Sequence, residues 1–288
     1  MRRLTQLNPE GKRKIVVGPL LPTLMYGSEL HTTPSEEASR LAGRMARWIC
    51  MGYKGSSRQK IEDIVGITQL EVMTHQKRVR WAASVYSRHE PELRPIAERI
   101  LREELGDEVV LKSLSDKEKG GSALDSKMEV RDFEQRGEVE AEIGYTDGSR
   151  MEGMTAAATA EGDIWLGTLA TVTDAEVLGV AGAWEEGYRA VATDRQAAVA
   201  RCMNLASGAA RIRSWIDERA VKAMKDAALE GKLVLMWVKG QRGVEGNERA
   251  DERAKEGVRS GQWRSEPSIA TPAGIRQAFT LSSGGNHT

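Results

Sequence analysis

Four acidic residues stand where a carboxylate could be held rigidly and put to chemical use. Asp147 closes a stretch, 141–147, that alternates as a half-buried strand does and then runs into Gly148-Ser149, a turn without bulk. A carboxylate there is placed to grip a metal ion close to a phosphate, although Asp-Gly is also the commonest hairpin turn. Glu176 falls in the first turn of a helix announced by Thr173-Asp174-Ala175-Glu176, where closing a capping box is the competing role. Asp194 ends the short run 189–193 and precedes a helix that starts at Gln196, so it reads as a strand-end ligand, as an N-cap, or as both. Asp251 lies one turn into a helix opened by Asn247-Glu248, after a loop rich in glycine, and faces back towards the sheet. Carboxylates of this kind suit hard cations, which in turn suit hydrolysis of a phosphodiester.

The elements that must position these acids follow from periodicity and turn chemistry. The runs 154–160 and 163–170, joined by Glu161-Gly162, read as antiparallel partners of the Asp147 strand, giving a three-stranded meander. Val177, Val180, Ala181 and Trp184 give the next helix one apolar side. An amphipathic stretch, 211–229, an apolar strand, 233–238, and the Asp251 helix complete an α/β order of elements. The first hundred residues read as helices. Thr33-Pro34-Ser35-Glu36 has the form of a capping box, followed by Ala38, Leu41, Ala42, Met45, Trp48 and Ile49 at helical spacing. A second helix, opening at Thr68, carries Lys77, Arg78 and Arg80 beside Trp81 and Tyr86. That face reads either as a contact to a nucleic-acid backbone or as an ordinary solvated helix face with aromatics in the core.

The sequence divides into a helical segment, 1–105, a charged flexible linker, 106–138, with Gly120-Gly121-Ser122 at its centre, an α/β domain, 139–262, and a disordered tail, 263–288. Among 288 residues, 42 bases balance 42 acids. The balance is uneven along the chain: residues 1–105 hold 18 Lys/Arg against 12 Asp/Glu, and the remainder 24 against 30. A basic part suited to a polyanion thus precedes an acidic part suited to metal ions. Cys50 and Cys202 form no Cys-x-x-Cys pair, so neither a disulfide framework nor a zinc site is expected. No apolar run reaches the roughly 18 residues of a membrane helix, and no signal-peptide core follows Met1. An intracellular protein of nucleus or cytoplasm, without a membrane partner, is expected.

Two sets of residues carry a resemblance. Tyr145-Thr146-Asp147-Gly148-Ser149, Ala175-Glu176, Thr193-Asp194-Arg195-Gln196-Ala197-Ala198, and Trp237-Val238 through Gly246-Asn247-Glu248-x-Ala250-Asp251 resemble, in their order, the ribonuclease H family. Pro19-Leu20-Leu21-Pro22-Thr23-Leu24-Met25-Tyr26-Gly27-Ser28-Glu29 resembles a segment near the end of the reverse transcriptases of non-LTR retrotransposons, just after the polymerase palm, whose Asp-Asp motif is absent here. Together they make the chain look like the C-terminal part of a retrotransposon polyprotein. The resemblance implies a ribonuclease H-like fold, a five-stranded mixed sheet flanked by helices, preceded by the small helical domain.

It also implies an activity: metal-dependent endonucleolytic hydrolysis of the RNA strand of an RNA/DNA hybrid. Two Mg²⁺ ions, or Mn²⁺, about 4 Å apart would be the cofactors. Asp147 would bridge both, Asp251 would help hold the ion that activates water, and Glu176 with Asp194 the ion facing the leaving group. Gly148, Ser149, Gln241 and Asn247 would contact substrate. One departure stands out, Lys239-Gly240-Gln241 in place of the family's usual Pro-Gly-His. Glutamine hydrogen-bonds but does not exchange a proton near neutral pH, which predicts reduced turnover rather than a dead site. The alternative is a decayed retroelement fragment that binds nucleic acid with little or no catalysis.

Overall fold

The computed structural model describes residues 7–30, 34–50, 57, 60–61, 65, 70–87, 92–106, 109–110, 121–138, 141–240, 242–261 and 268–279. Its strands are β1 (Val109–Val110), β2 (Met128–Asp132), β3 (Ile143–Tyr145), β4 (Asp147–Met151), β5 (Met154–Ala158), β6 (Asp163–Gly167), β7 (Ala190–Thr193), β8 (Leu233–Trp237) and β9 (Ser268–Ile269). The longer helices are α1 (Pro9–Ile15), α2 (Glu36–Cys50), α3 (Leu70–Tyr86), α4 (Arg94–Leu105), α5 (Val172–Glu185), α6 (Gln196–Ala206), α7 (Trp215–Ala227), α8 (Glu245–Gly261) and α9 (Pro272–Ala278).

The fold is mixed α/β. Strands β2, β8, β7 and β3 pair in that order, all parallel, while β4, β5 and β6 form the antiparallel meander. Thr146 joins the two sheets: its amide donates to the Ala192 carbonyl at 2.9 Å, so the chain passes from β3 into β4 without leaving the ladder. β2 is an addition to the five strands that the sequence led us to expect. It falls within the 106–138 stretch read as a linker, and pairs along its whole length with β8, from Met128 opposite Leu233 to Asp132 opposite Trp237. Met-Glu-Val-Arg-Asp alternates only weakly: Met128 is buried at 8% exposure and Val130 is exposed, which an edge strand tolerates.

Two helices clamp the sheet through small residues. On α5, Ala175, Gly179 and Gly182 face the strands; a Cβ on Gly179 would sit 2.5 Å from the Ala158 carbonyl oxygen, and one on Gly182 would meet Thr159 at 2.4 Å. On α8, Gly257 and Gly261 press on β5 and β6, with Ala250 and Ala254 packed on Ala158. Ala156, Ala157 and Ala158 are fully buried between them. Close approach of two backbones explains an alanine-rich core where leucine would be ordinary. The larger apolar volume lies between α5, α6, α7 and the parallel strands, where Leu178, Leu205, Ile216, Met224, Leu233 and Leu235 are buried to within 1%. Each such side chain contributes about 1.5–3 kcal/mol by leaving water.

The elements among the described residues of the first hundred are helical. The chain continues from α1 through a wide turn at Val16–Leu20 into a single helical turn at Leu21–Leu24, and these pack with α2 around Val16, Leu21, Met25, Ala46 and Ile49. The N-cap of α2 is Ser35, whose hydroxyl accepts from the Ala38 amide at 3.1 Å, two residues later than the Thr33 box predicted. The tail also departs from expectation. Within 263–288, Ser268–Ile269 pairs with β1, and α9 buries Ile275 among Val79, Ala82 and Leu101 of α3 and α4. This tail therefore ties the helical segment to the sheet, with the Thr271 amide donating to the Leu169 carbonyl at 2.9 Å. No described helix is long and apolar enough to cross a membrane.

Candidate metal centre

Three of the four acids converge. Carboxylate oxygens of Asp147, Glu176 and Asp194 lie within 4.8 Å of one another. Asp147 begins β4 at 6% exposure, and Glu176 on α5 is 1% exposed. Asp194, half-buried, follows the last residue of β7.

The local reasons for this convergence lie in the neighbours. α5 starts at Val172 and is capped by Thr171, whose hydroxyl accepts from the Asp174 amide at 3.1 Å while Asp174 accepts from the Thr171 amide at 2.8 Å. Asp174 therefore closes the capping box. The sequence had offered that job to Glu176; the real box sits two residues earlier, and Glu176 is released into the second turn. Asp194 is likewise no cap: Arg195 occupies the N-cap position of α6 and no side chain accepts there. Gly148 sets the spacing, since a Cβ on it would lie 2.9 Å from the Glu176 backbone nitrogen and 2.9 Å from the Val172 carbonyl oxygen. Only a glycine lets β4 lie this close to the start of α5.

Two donors hold the acids from outside. The Thr193 hydroxyl, fully buried, donates to Glu176 Oε2 at 2.8 Å. Trp237 Nε1 donates to the backbone carbonyl of Asp194 at 2.9 Å. Neither role was read from the sequence, although Thr193 directly precedes Asp194 and Trp237 opens the most distinctive stretch of the chain. Asn247 is 6% exposed and stands near enough to Asp194 to oppose the rise of its carboxyl.

Burial and mutual repulsion govern the charge state. Burial, then the nearby Asp194 charge, raises the Asp147 carboxyl well above its ordinary range. Glu176 is raised further, by burial and then by Asp147, against the opposing hydrogen bond from Thr193. Asp194 is raised by burial and by Asp251, with Arg195 and Asn247 pulling the other way. Desolvating several acids together costs several kcal/mol per ion unless protons or cations neutralise them. The donor set, all oxygen and all anionic, fits a hard divalent cation.

Asp251 is outside this tight group. It lies in the second turn of α8, which starts at Glu245 rather than at Asn247, and its Oδ2 accepts from Lys255 Nζ at 2.5 Å. It is near enough to raise both Asp147 and Asp194. The Asp251 and Lys255 pair has the i, i+4 spacing of a helix-surface ion pair, a signal legible in the sequence. Ser149 is half-buried on β4, and Gln241 lies outside the described residues.

No family model and no curated protein matches this chain.

The basic stretch around Lys77 is engaged within its own segment. Lys77 pairs with Glu29 at 2.9 Å, and Arg78, 6% exposed, pairs with Glu103 at 2.9 Å and with Glu104. Lys77 and Arg78 thus neutralise acids of their own segment, while Arg80 is half-buried.

Proposed function

We propose that the chain is a metal-dependent endonuclease that hydrolyses the RNA strand of RNA/DNA hybrids, on a ribonuclease H-like fold. The observation that carries this reading is the convergence of Asp147, Glu176 and Asp194 from a strand end, a helix and a second strand end. It is supported by the order of the sheet, in which the meander is followed by parallel strands, and by the four acids lying in the family's order.

Asp147, Glu176 and Asp194 would hold Mg²⁺, with Asp251 completing the set from α8. Held there, the metal would supply activation of water and relief of charge on the leaving oxygen. The chain's own contribution is positional. Thr193 fixes the Glu176 carboxylate, Trp237 fixes the backbone at Asp194, and Gly148 lets the first two acids meet. The closed packing of β4 on α5 keeps solvent from the inner carboxylates, which strengthens their hold on a cation.

One observation favours the second reading, a fragment that binds nucleic acid with little turnover: the Lys255 ammonium sits on Asp251 and competes with any cation there. The deciding experiment is incubation of the full chain with end-labelled RNA/DNA hybrid, with Mg²⁺ and with EDTA, beside Asp194→Asn. Cleavage of the RNA strand only, dependent on Mg²⁺ and lost in Asp194→Asn, is the expected result. Equal cleavage by Asp194→Asn would refute the assignment of the site, and no cleavage by the wild type at any Mg²⁺ concentration would favour the second reading.

A further inference from the structure

At the ends of β2 and β8 a cleft of about 750 Å³ opens between the 3-10 turn Phe133–Glu138 and the loop leading from β8 into α8. We propose that this cleft binds the phosphodiester backbone of the nucleic-acid substrate beyond the cleavage point, through Arg136, Lys239 and Arg242. The proposal rests on the ribonuclease reading for the identity of the strand, and on the cleft alone for its anion-binding character.

Three observations carry it. The first is charge: Arg136, Lys239 and Arg242 are exposed, line one cleft, and have no acidic partner within 4.0 Å among the described residues. Asp132, Glu134 and Glu245 also border the cleft, yet Glu245 points to solvent, 85% exposed and 3.9 Å from Arg249, so the three cations stay available. Their arrangement contrasts with Lys77 and Arg78, which are consumed by glutamates.

The second is preorganisation. The Arg136 guanidinium lies 4.5 Å above the centre of the Phe133 ring, and Phe133 meets Tyr145 edge to face at 5.8 Å. Tyr145 in turn is locked by Gly246, where any Cβ would strike its ring at 2.4 Å. Stacking of this sort fixes a guanidinium before a ligand arrives, which lowers the ordering cost of binding.

The third is continuity with the acids. Tyr145 lies two residues before Asp147 on the same length of chain, roughly 7 Å along a strand. Trp237, which also lines the cleft, donates to the Asp194 carbonyl. Tyr145 and Trp237 thus link the cleft to the acids, and a strand with a phosphate at the acids would need to continue only past these two residues to meet the cations. The cleft owes its far wall to β2, since Phe133 and Arg136 follow immediately from that added strand, so the cleft and the extra strand are explained together.

The test measures binding without catalysis. Fluorescein-labelled RNA/DNA hybrid is titrated with the full chain in EDTA at several salt concentrations. The variants are Arg136→Gln/Lys239→Gln/Arg242→Gln and a control of equal charge change far from the cleft, Lys14→Gln/Arg40→Gln/Arg99→Gln. Far-UV circular dichroism and thermal melting verify that each is folded. The cleft variant is expected to bind at least 10-fold more weakly at low salt, with the slope of log affinity against log salt reduced by about 2 to 3, whereas the control stays within 2-fold of wild type. Unchanged affinity and slope in the folded cleft variant, or an equal loss in the control, would overturn the proposal. Should the cleft variant lose its binding while the wild type cuts no RNA in Mg²⁺, the cleft stands and the ribonuclease reading falls. If the wild type cuts RNA and the cleft variant binds as it does, the reverse holds.

Discussion

The Thr193 hydroxyl donates a 2.8 Å hydrogen bond to Glu176 Oε2 in a fully buried setting, joining the end of β7 to the second turn of α5. Through this bond a neutral side chain holds the deepest carboxylate of the site. Thr193→Val keeps the shape and removes the donor. It is expected to weaken Mg²⁺ binding about 10- to 100-fold, the usual cost of losing a residue that orients a ligand. Isothermal titration with Mg²⁺ checks this, and an unchanged isotherm would show that Glu176 holds its position without Thr193.

Gly148 is the steric condition for the site. Gly148→Ala places a Cβ 2.9 Å from backbone atoms of Glu176 and Val172, which belong to a helix and cannot swing aside. The strand and α5 must separate, at a cost of about 1–3 kcal/mol. Denaturant unfolding should report that loss, and Mg²⁺ affinity should fall with it. A variant as stable as wild type with full affinity would mean that α5 is free to slide.

Without metal, stability should fall as pH rises. The ordinary values are 3.8 for Asp147 and 4.5 for Glu176, and in the folded chain they are pushed up to about 7 and about 9. Between those limits the folded state holds protons that the unfolded state has released, so each retained proton costs up to about 1.4 kcal/mol per pH unit as pH increases. Urea unfolding in EDTA at pH 5.5, 7 and 8.5 should show this decline. Glu176→Gln should flatten it, and Mg²⁺ should reverse it by taking the place of the protons. A slope identical in wild type and Glu176→Gln would rule out Glu176 as its source.

Lys255 competes for Asp251. Removing its ammonium with Lys255→Met leaves the aliphatic stem and frees Asp251 Oδ2. Mg²⁺ affinity should rise several-fold if Asp251 joins the metal set. No change would place Asp251 outside it, which calorimetry on the same preparation as the Thr193 variant would reveal.

The tail should prove structural. Ile275 is fully buried between α3 and α4, and the Thr271 hydroxyl donates to Asp174 Oδ2 at 2.7 Å. Ile275→Ala is expected to cost about 2–5 kcal/mol. A chain ending at Gly261 should melt lower than the full chain. An equal melting temperature would return the tail to the status of a passive extension.

The sequence by itself determined most of the elements and the acids that stand at their ends. Alternation up to Asp147, an apolar run up to Thr193 and a capping pattern before Glu176 are local signals, readable because turns, caps and periodicity depend on neighbours in the chain. It could not decide which acid capped α5. Thr171 with Asp174 and Thr173 with Glu176 satisfy the same spacing, and only the packing of Gly148 on the helix start settles the choice in favour of the first. Nor could it place β2, whose alternation is weak in a charged stretch and whose partner, β8, lies about a hundred residues away. The ion pairs of Lys77 and Arg78 could not be read either, because Glu29, Glu103 and Glu104 are remote in sequence and adjacent only in space. Contacts at long range carry no periodic signature, so the cleft lined by Arg136, Lys239 and Arg242 was visible only once β2 had brought the 3-10 turn against the loop after β8.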